Sequence, residues 1–213
     1  MISELESKMI PKGRIDLIGL GRLGIRTGLN LIEVHRGGPS QIAVFDGQKI
    51  SGSDIIFTLL GAKNEEYKTD FFKKLCTHDK SYREIISIPE YVNENNLDFV
   101  KGDVVVIEIA GGNTIPTAAN IIKHVHSYGG KTISTAGIFG MGDEKIEIKD
   151  ISEFDDTNPA VEELRKEGIT ENHLVITTGK FIRDMEPVTP YTLDEVAKEV
   201  TKTSLKLLID IYD

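Results

Sequence analysis

Cysteine is almost absent from this chain: among 213 residues only Cys76 carries a thiol. A single thiol excludes an internal disulfide and any zinc cluster built on cysteines. It falls in the run Lys74, Leu75, Cys76, Thr77, His78, read as a helix end, where a buried or incidental thiol is expected rather than a nucleophile. Long apolar runs are missing too, since no stretch approaches the roughly 20 residues that a bilayer-crossing helix needs. Residues 1–8 are polar and lack the positive-then-apolar order of a secretion signal, so a cytoplasmic protein is expected. Positive charge is also in deficit. With 25 Lys and Arg against 34 Asp and Glu the net charge is −9, which argues against nucleic acid or an anionic membrane as the main partner. A nucleotide remains possible, because backbone amides and a few cations can hold phosphates inside an acidic protein. No internal repeat, low-complexity tract or linker divides the chain. Its 39% apolar and 28% charged content is that of an ordinary globular protein.

What is present is a glycine turn in an ordered setting. Residues 15–18 read as a buried strand that opens into Gly19, Leu20, Gly21, Arg22, Leu23, Gly24. An amphipathic helix follows, then a second strand over 41–45 that ends on Asp46, 22 positions after Gly24. Strand, glycine turn, helix, strand and acid at this spacing fit a dinucleotide or ATP site on a helix N-terminus. Gly19 allows the tight turn, Gly21 lets backbone amides approach a phosphate, and Gly24 lets helix and strand pack closely. The helix dipole adds partial positive charge there, and Asp46 is placed to accept hydrogen bonds from ribose hydroxyls. The bland alternative is a glycine turn that only tightens a βαβ crossover.

Strand and helix alternate through the remainder. Helical stretches are expected over 53–60, ending at Gly61, and over 65–75, with Phe71, Phe72 and Leu75 on one face. A strand over 82–88 stops at Pro89, and the β-branched run 103–109 suits the middle of a parallel sheet. A helix over 117–128 ends at Gly129 and Gly130, followed by a strand over 131–135 and a glycine-rich loop over 136–142. A short strand over 145–148, a helix over 159–167, a strand over 173–178 and a closing helix over 193–212 complete the chain. The expected fold is α/β, a doubly wound, Rossmann-like, mostly parallel sheet with a C-terminal elaboration. It forms one domain, with a nucleotide core over 1–140 and the elaboration over 141–213.

The residues after Asp46 carry a more specific likeness. They read Asp46, Gly47, Gln48, Lys49, Ile50, Ser51, Gly52, Ser53, Asp54, Ile55, with Lys68 further on. This resembles the ubiquitin-activating-like adenylyltransferases of the ThiF/MoeB type, whose second strand ends in D-x-D-x-V-x-x-S-N-L-x-R-Q before a G-(x)-K-A element. Asp46, Ile50, Ser53, Asp54 and Ile55 fall on the D, V, S, N and L positions, and Lys68 matches the lysine. The likeness spans roughly residues 13–140. Over Gly19 to Lys68 it is similar to the branch serving biosynthesis of the iron-guanylylpyridinol cofactor of the methanogen iron hydrogenase. It implies ATP and Mg²⁺ as cofactors and adenylylation of a small-molecule carboxylate, with guanylylpyridinol the expected acid. It also implies a homodimer whose site borrows residues across subunits.

Carried over residue by residue, Gly19, Gly21 and Gly24 form the phosphate loop with Arg22 and Leu23, Asp46 takes the ribose, and Gln48 and Ser53 flank it. Lys68 reaches the phosphates; its bland reading is a solvated helix lysine. The family arginine position holds Phe57 and the following glutamine position Thr58, so Arg22 and Arg26 are the nearest replacement cations. Where the family has a magnesium-binding aspartate, an ungapped match places Ala110; Glu108 and Asn113 border the same strand end as substitutes, and no metal ligand set is assigned. Glu108 within an apolar run stands out, because a buried carboxylate is costly without a partner or a job. Paired C-x-x-C motifs and a later cysteine are absent, so the acyl-adenylate would pass to a separate, thioester-forming protein. His124 and His126 cannot form a helical metal pair and read as packing. Residues 177–183, with Lys180 and Arg183, are a candidate for an anionic group such as a guanylyl phosphate. Two alternatives stand beside this reading: an NAD-dependent oxidoreductase, and a nucleotide-binding scaffold without chemistry.

Overall fold

The computed structural model describes Ile2, Glu4, residues 10–77 and residues 83–212. Among the described residues seven strands form one sheet: β1 (Arg14–Ile18), β2 (Gln41–Phe45), β3 (Glu84–Ile88), β4 (Val104–Ile107), β5 (Lys131–Thr135), β6 (Glu147–Asp150) and β7 (His173–Thr177). Their spatial order is β3-β2-β1-β4-β5-β7-β6, and all neighbours are parallel except β6 against β7. Winding reverses between β1 and β4, so the crevice beyond their C-terminal ends is the place where such sheets take ligands.

The helices packed on the sheet are α1 (Arg22–Glu33), α2 (Ile55–Leu59), α3 (Lys68–Cys76), α4 (Ile115–Ser127), α5 (Pro159–Lys166) and α6 (Pro190–Tyr212). They cover both faces of the sheet, which explains the unbroken apolar run of β4. Val104 and Val106 enter one core with Ile25 and Leu31 of α1, Phe71 and Phe72 of α3 and Val196 and Val200 of α6. Val105 and Ile107 enter the other, with Ile121, Ile122 and Val125 of α4 and Val161 and Leu164 of α5. Alternate side chains thus find alternate cores, as a two-sided sheet requires. The expected C-terminal elaboration is two strands added to the same sheet and the long helix α6 laid along α1.

Most expected elements are present with shifted ends. The helix expected from residue 65 starts at Lys68, because Glu65 adopts φ +68 and Tyr67 bridges back to Lys49. α6 starts at Pro190, which supplies the fixed φ favoured in a first turn. β4 ends at Ile107 although Glu108 N still donates to Ile18 O at 2.8 Å. The short strand lies at Glu147–Asp150 instead of 145–148. Tyr82 and His78 lie outside the described residues. Among the described residues no helix is long and apolar enough to cross a membrane.

The second core contains a polar chain that sequence alone did not reveal. His173 is fully buried, with Nε2 2.7 Å from Ser134 Oγ and Nδ1 2.8 Å from Thr132 Oγ1, which also meets His126 Nε2 at 3.0 Å. Burial first, and then the neighbouring His126, push the His173 pKa down to about 3, against an opposing pull from Asp150. The native imidazole stays neutral while the unfolded one takes a proton near pH 6.5, so stability is lost as pH falls below about 6.5. The expected slope is about 1.4 kcal/mol per pH unit. Denaturant titrations of wild type and His173→Gln between pH 4 and 7 check this; equal slopes would remove His173 as the cause.

Candidate nucleotide site

The glycine turn joins β1 to α1 at the winding reversal. Gly19 adopts φ +98 and its N–H donates to Phe45 O at 2.8 Å; a side chain there would come within 2.7 Å of Glu108 O. Only glycine suits both demands. A methyl at Gly24 would overlap the Gly19 carbonyl oxygen, so this glycine sets how closely α1 seats on the turn. Gly21 is different. A side chain there would meet no protein atom within 4 Å, so the N-terminal end of α1 faces open space. Its first hydrogen bond runs from Ile25 N to Gly21 O at 3.0 Å, and no side chain caps the turn. The amides of Arg22, Leu23 and Gly24 therefore point their unpaired N–H groups outward with the positive end of the dipole. An anion fits this corner.

Asp46 braces the turn. Its Oδ2 accepts from Leu20 N at 2.8 Å and its Oδ1 from Gln48 N at 2.8 Å, and the residue is 8% exposed. Each oxygen keeps a second acceptor site, so bracing and ribose binding are compatible. Beyond it, the Gln48 side-chain oxygen accepts from Lys68 Nζ at 2.7 Å, and Lys68 Nζ pairs with Asp54 Oδ1 at 2.9 Å. Lys68 is the first residue of α3 and only 4% exposed, with its ammonium 5.5 Å above the Phe57 ring. The bland alternative of a solvated helix lysine does not hold: this ammonium is buried and matched. Burial alone would raise the Asp54 pKa, but hydrogen bonds from Lys68 and Ser51 outweigh it and hold the carboxylate below its ordinary value. Ser53 is exposed, its hydroxyl 2.8 Å from Ser51 Oγ. Phe57, at the family arginine position, is fully buried against Phe71, so α2 gives the crevice no cation from that position.

The two loop arginines part company. Arg22 is exposed, and its guanidinium pairs with none of the described residues. Arg26 bonds Asp194 Oδ1 of α6 at 2.6 Å and Arg22 O at 2.6 Å, so it ties α1 to α6. Leu23 is half-buried against the first core. Glu108 turns inward: Oε1 accepts from Thr27 Oγ1 at 2.9 Å, while Oε2 is buried with no hydrogen-bond partner among the described residues. Burial raises its pKa to about 8, opposed by the Thr27 bond, so the carboxyl is largely protonated at neutral pH. Asn113 sits in an exposed turn, Gly112–Thr114, beside the exposed Ala110. Glu108 and Asn113 are not brought together in a hydrogen bond. Among the described residues no group of three or more His, Cys, Asp or Glu could hold a metal ion.

The remaining candidates lie elsewhere in the fold. The loop 136–142 is anchored: Gly137 O accepts from Thr178 N and Thr178 Oγ1, and Gly140 O accepts from Thr189 N and Thr192 Oγ1. Lys180 is matched by Glu186 at 2.7 Å, while Arg183 lies over the Phe181 ring at 5.0 Å. His124 bonds Val100 O at 3.0 Å. Cys76 ends α3, buried, with its thiol pushed up to about 12 by burial, which leaves it inert.

No family model matches the chain. An uncharacterized protein, MJ0693, of Methanocaldococcus jannaschii is 44% identical over 211 residues, 99% of this chain and 83% of that protein. Among solved structures, guanylylpyridinol- and ATP-bound HcgE from Methanothermobacter marburgensis is 48% identical, with a TM-score of 0.91 over 96% of this chain and 98% of that one. The chain belongs to the HcgE family. A tRNA N6-threonylcarbamoyladenosine dehydratase of E. coli, TcdA, in complex with ATP, shares the fold at 13% identity, with a TM-score of 0.77 over 98% of this chain and 91% of its own. The likeness to TcdA is one of architecture: a parallel sheet with helices on both faces.

In this HcgE-family chain several neighbours of the site escaped sequence reasoning. Thr27 and Gly28 lie on the inward face of α1, Thr27 against Glu108 and Gly28 against Phe72, where a side chain would come within 2.8 Å of the ring. Their small size in an apolar helix stripe was the available signal. Asp194, 168 positions from Arg26, left none.

Proposed function

We propose that this chain binds ATP in the crevice between the Gly19–Gly24 turn and the tip of β2 and adenylylates the carboxyl group of a small molecule. A carboxylate oxygen attacks the α-phosphorus, the bond from that phosphorus to the bridging oxygen breaks, and pyrophosphate leaves with the electron pair. Guanylylpyridinol is the acid we favour. The observation that carries the reading is the 48% identity, over nearly the whole chain, with a protein whose structure holds ATP and guanylylpyridinol together. The uncapped amides of α1 facing open space support the phosphate placement. Ribose would fall to Asp46, with Gln48 and Ser53 beside it.

Phosphoryl chemistry needs positioned cations more than covalent catalysts. Arg22 is exposed at the amide cradle, and Lys68 lies one hydrogen bond behind Gln48; we assign both to the polyphosphate. Arg26 serves by holding α1 through Asp194. The residues present do not make a resident Mg²⁺ site: Asp54 is bound to Lys68, Glu108 faces Thr27, and Ala110 has no ligand atom in its side chain. Magnesium would arrive with its nucleotide, held mainly by phosphate and water oxygens. The loops after β5 and β7, residues 136–142 and 178–189, lie at the same sheet edge, and we assign them to the acid and to contact with a second copy of the chain. With Cys76 buried, the acyl-adenylate would go to a thiol on another protein.

Mixing the protein with MgATP and guanylylpyridinol should release pyrophosphate, and neither component alone should. An NAD(H)-linked absorbance change in place of pyrophosphate would favour an oxidoreductase. Nucleotide binding with no turnover would favour a scaffold. In the same assay Arg22→Ala should weaken ATP binding about tenfold, the size of one lost charge-assisted hydrogen bond. An unchanged Kd would free Arg22 from the site.

A further inference from the structure

The corner holding Lys68 contains more than a candidate phosphate ligand. The ammonium has three donors; one goes to Asp54 Oδ1 at 2.9 Å, one to Gln48 Oε1 at 2.7 Å, and the head rests 5.5 Å from the centre of the Phe57 ring. Asp54 is fixed in turn, because its other oxygen accepts from both Ser51 N and Ser51 Oγ at 2.9 Å. Gln48 connects the corner to the glycine turn, since its N–H bonds Asp46 Oδ1 while Asp46 Oδ2 holds Leu20 N. A continuous polar chain thus runs from the turn through Asp46, Gln48 and Lys68 to Asp54. Lys68 is 4% exposed, whereas Gln48 is exposed and covers it from outside. An anion at the turn meets a cation whose charge is already matched.

We propose that Asp54 is a positioning residue that works as a latch: its carboxylate holds the Lys68 ammonium in this structure, and bound nucleotide phosphate takes that ammonium over. The inference rests on ATP binding at the turn, as argued above. Two anions compete for one buried cation, so Asp54 subtracts from nucleotide affinity while keeping Lys68 compensated. A buried ammonium without a counter-ion is costly, which gives the carboxylate its place. The exchange would carry the Lys68 ammonium from Asp54 past the exposed Gln48 amide toward the turn. Through Gln48 and Asp46, the same movement is felt at the turn.

Asp54→Asn keeps the shape and one acceptor oxygen but removes the competing charge. Calorimetric titration of the folded variant with MgATP should give a Kd lowered about tenfold, within the range of ordinary coupling between charged groups. The gain should vanish in the Lys68→Met background, where Asp54→Asn no longer has a lysine to release. An unchanged or weaker Kd in folded Asp54→Asn would overturn the latch. In wild type, the Lys68 side-chain nitrogen resonance and the Asp54 carboxyl resonance should both shift on ATP titration; binding heat without either shift also overturns it. Wild type that gives no ATP binding at all removes the ATP reading itself, and the latch with it.

Discussion

Gly24→Ala will weaken nucleotide binding on the order of 100-fold. The added methyl would occupy the space of the Gly19 carbonyl oxygen and lie 3.5 Å from the orphaned Glu108 Oε2. Gly19 has little room to yield: its φ is +98 and its N–H is bound to Phe45 O at 2.8 Å. The overlap is backbone against side chain, so α1 must lift from β1. Displacing positioned groups by about 1 Å costs on the order of 100-fold in a site that works by geometry. Thermal stability should fall as well, because overpacking costs about 1–3 kcal/mol. Gly21→Ala is the control. Its φ of −78 suits alanine and its Cβ meets no protein atom, so the fold should keep its Tm while a methyl intrudes where phosphate would lie. Calorimetry with MgATP and thermal denaturation on both variants decide the matter; wild-type affinity in Gly24→Ala would refute the placement of the phosphates.

The second large effect is alkaline. Glu108 has a native pKa of about 8 against an ordinary 4.5, because burial disfavours its charge more than the Thr27 bond favours it. A raised carboxyl pKa means the folded state holds the proton more tightly than the unfolded one. The stability this carries is complete below about pH 4.5 and is lost as pH rises through about 8. The slope across that window is about 1.4 kcal/mol per pH unit. Glu108→Gln mimics the protonated form and should flatten the curve, so the variant gains on wild type at pH 9 and matches it near pH 4. ATP affinity should follow, since ionised Glu108 would place a negative charge behind the phosphate turn. Parallel stability curves for the two proteins from pH 5 to 9 would show that Glu108 is already charged at neutral pH.

Periodicity and glycine spacing made much of this molecule readable. The alternation of strands and helices, the run of β4 and the turn after β1 each follow from local pattern, and the turn's place at the winding reversal follows from the fold class. Boundaries were less legible where a single backbone angle decides them, as at Glu65, whose positive φ delays α3 to Lys68. Lys68 marks the limit of linear reasoning. Family likeness marked it as a phosphate ligand and helix pattern alone left a solvated lysine open, yet Asp54, Gln48 and Phe57 surround it, and none of those contacts is encoded by spacing along one helix. Glu108 was noticed as an acid inside an apolar run, but its partner Thr27, 81 positions away, belongs to tertiary packing. For the same reason Arg26 read as a phosphate candidate, while its carboxylate waits 168 positions downstream.

That last distance has a consequence for synthesis. Helix α1, whose uncapped amides open from the glycine turn, leans along α6, which begins at Pro190, and Arg26 is fastened there by Asp194. A nascent chain still lacking α6 leaves Leu31 and the rest of α1's apolar stripe uncovered on that side, however early the turn itself has emerged. Contacts so remote along the sequence close late in folding. On the proposed reading, competence to hold nucleotide waits for residues beyond 190 rather than arriving with the amino-terminal half, and a ribosome-stalled fragment ending before residue 190 should not retain ATP.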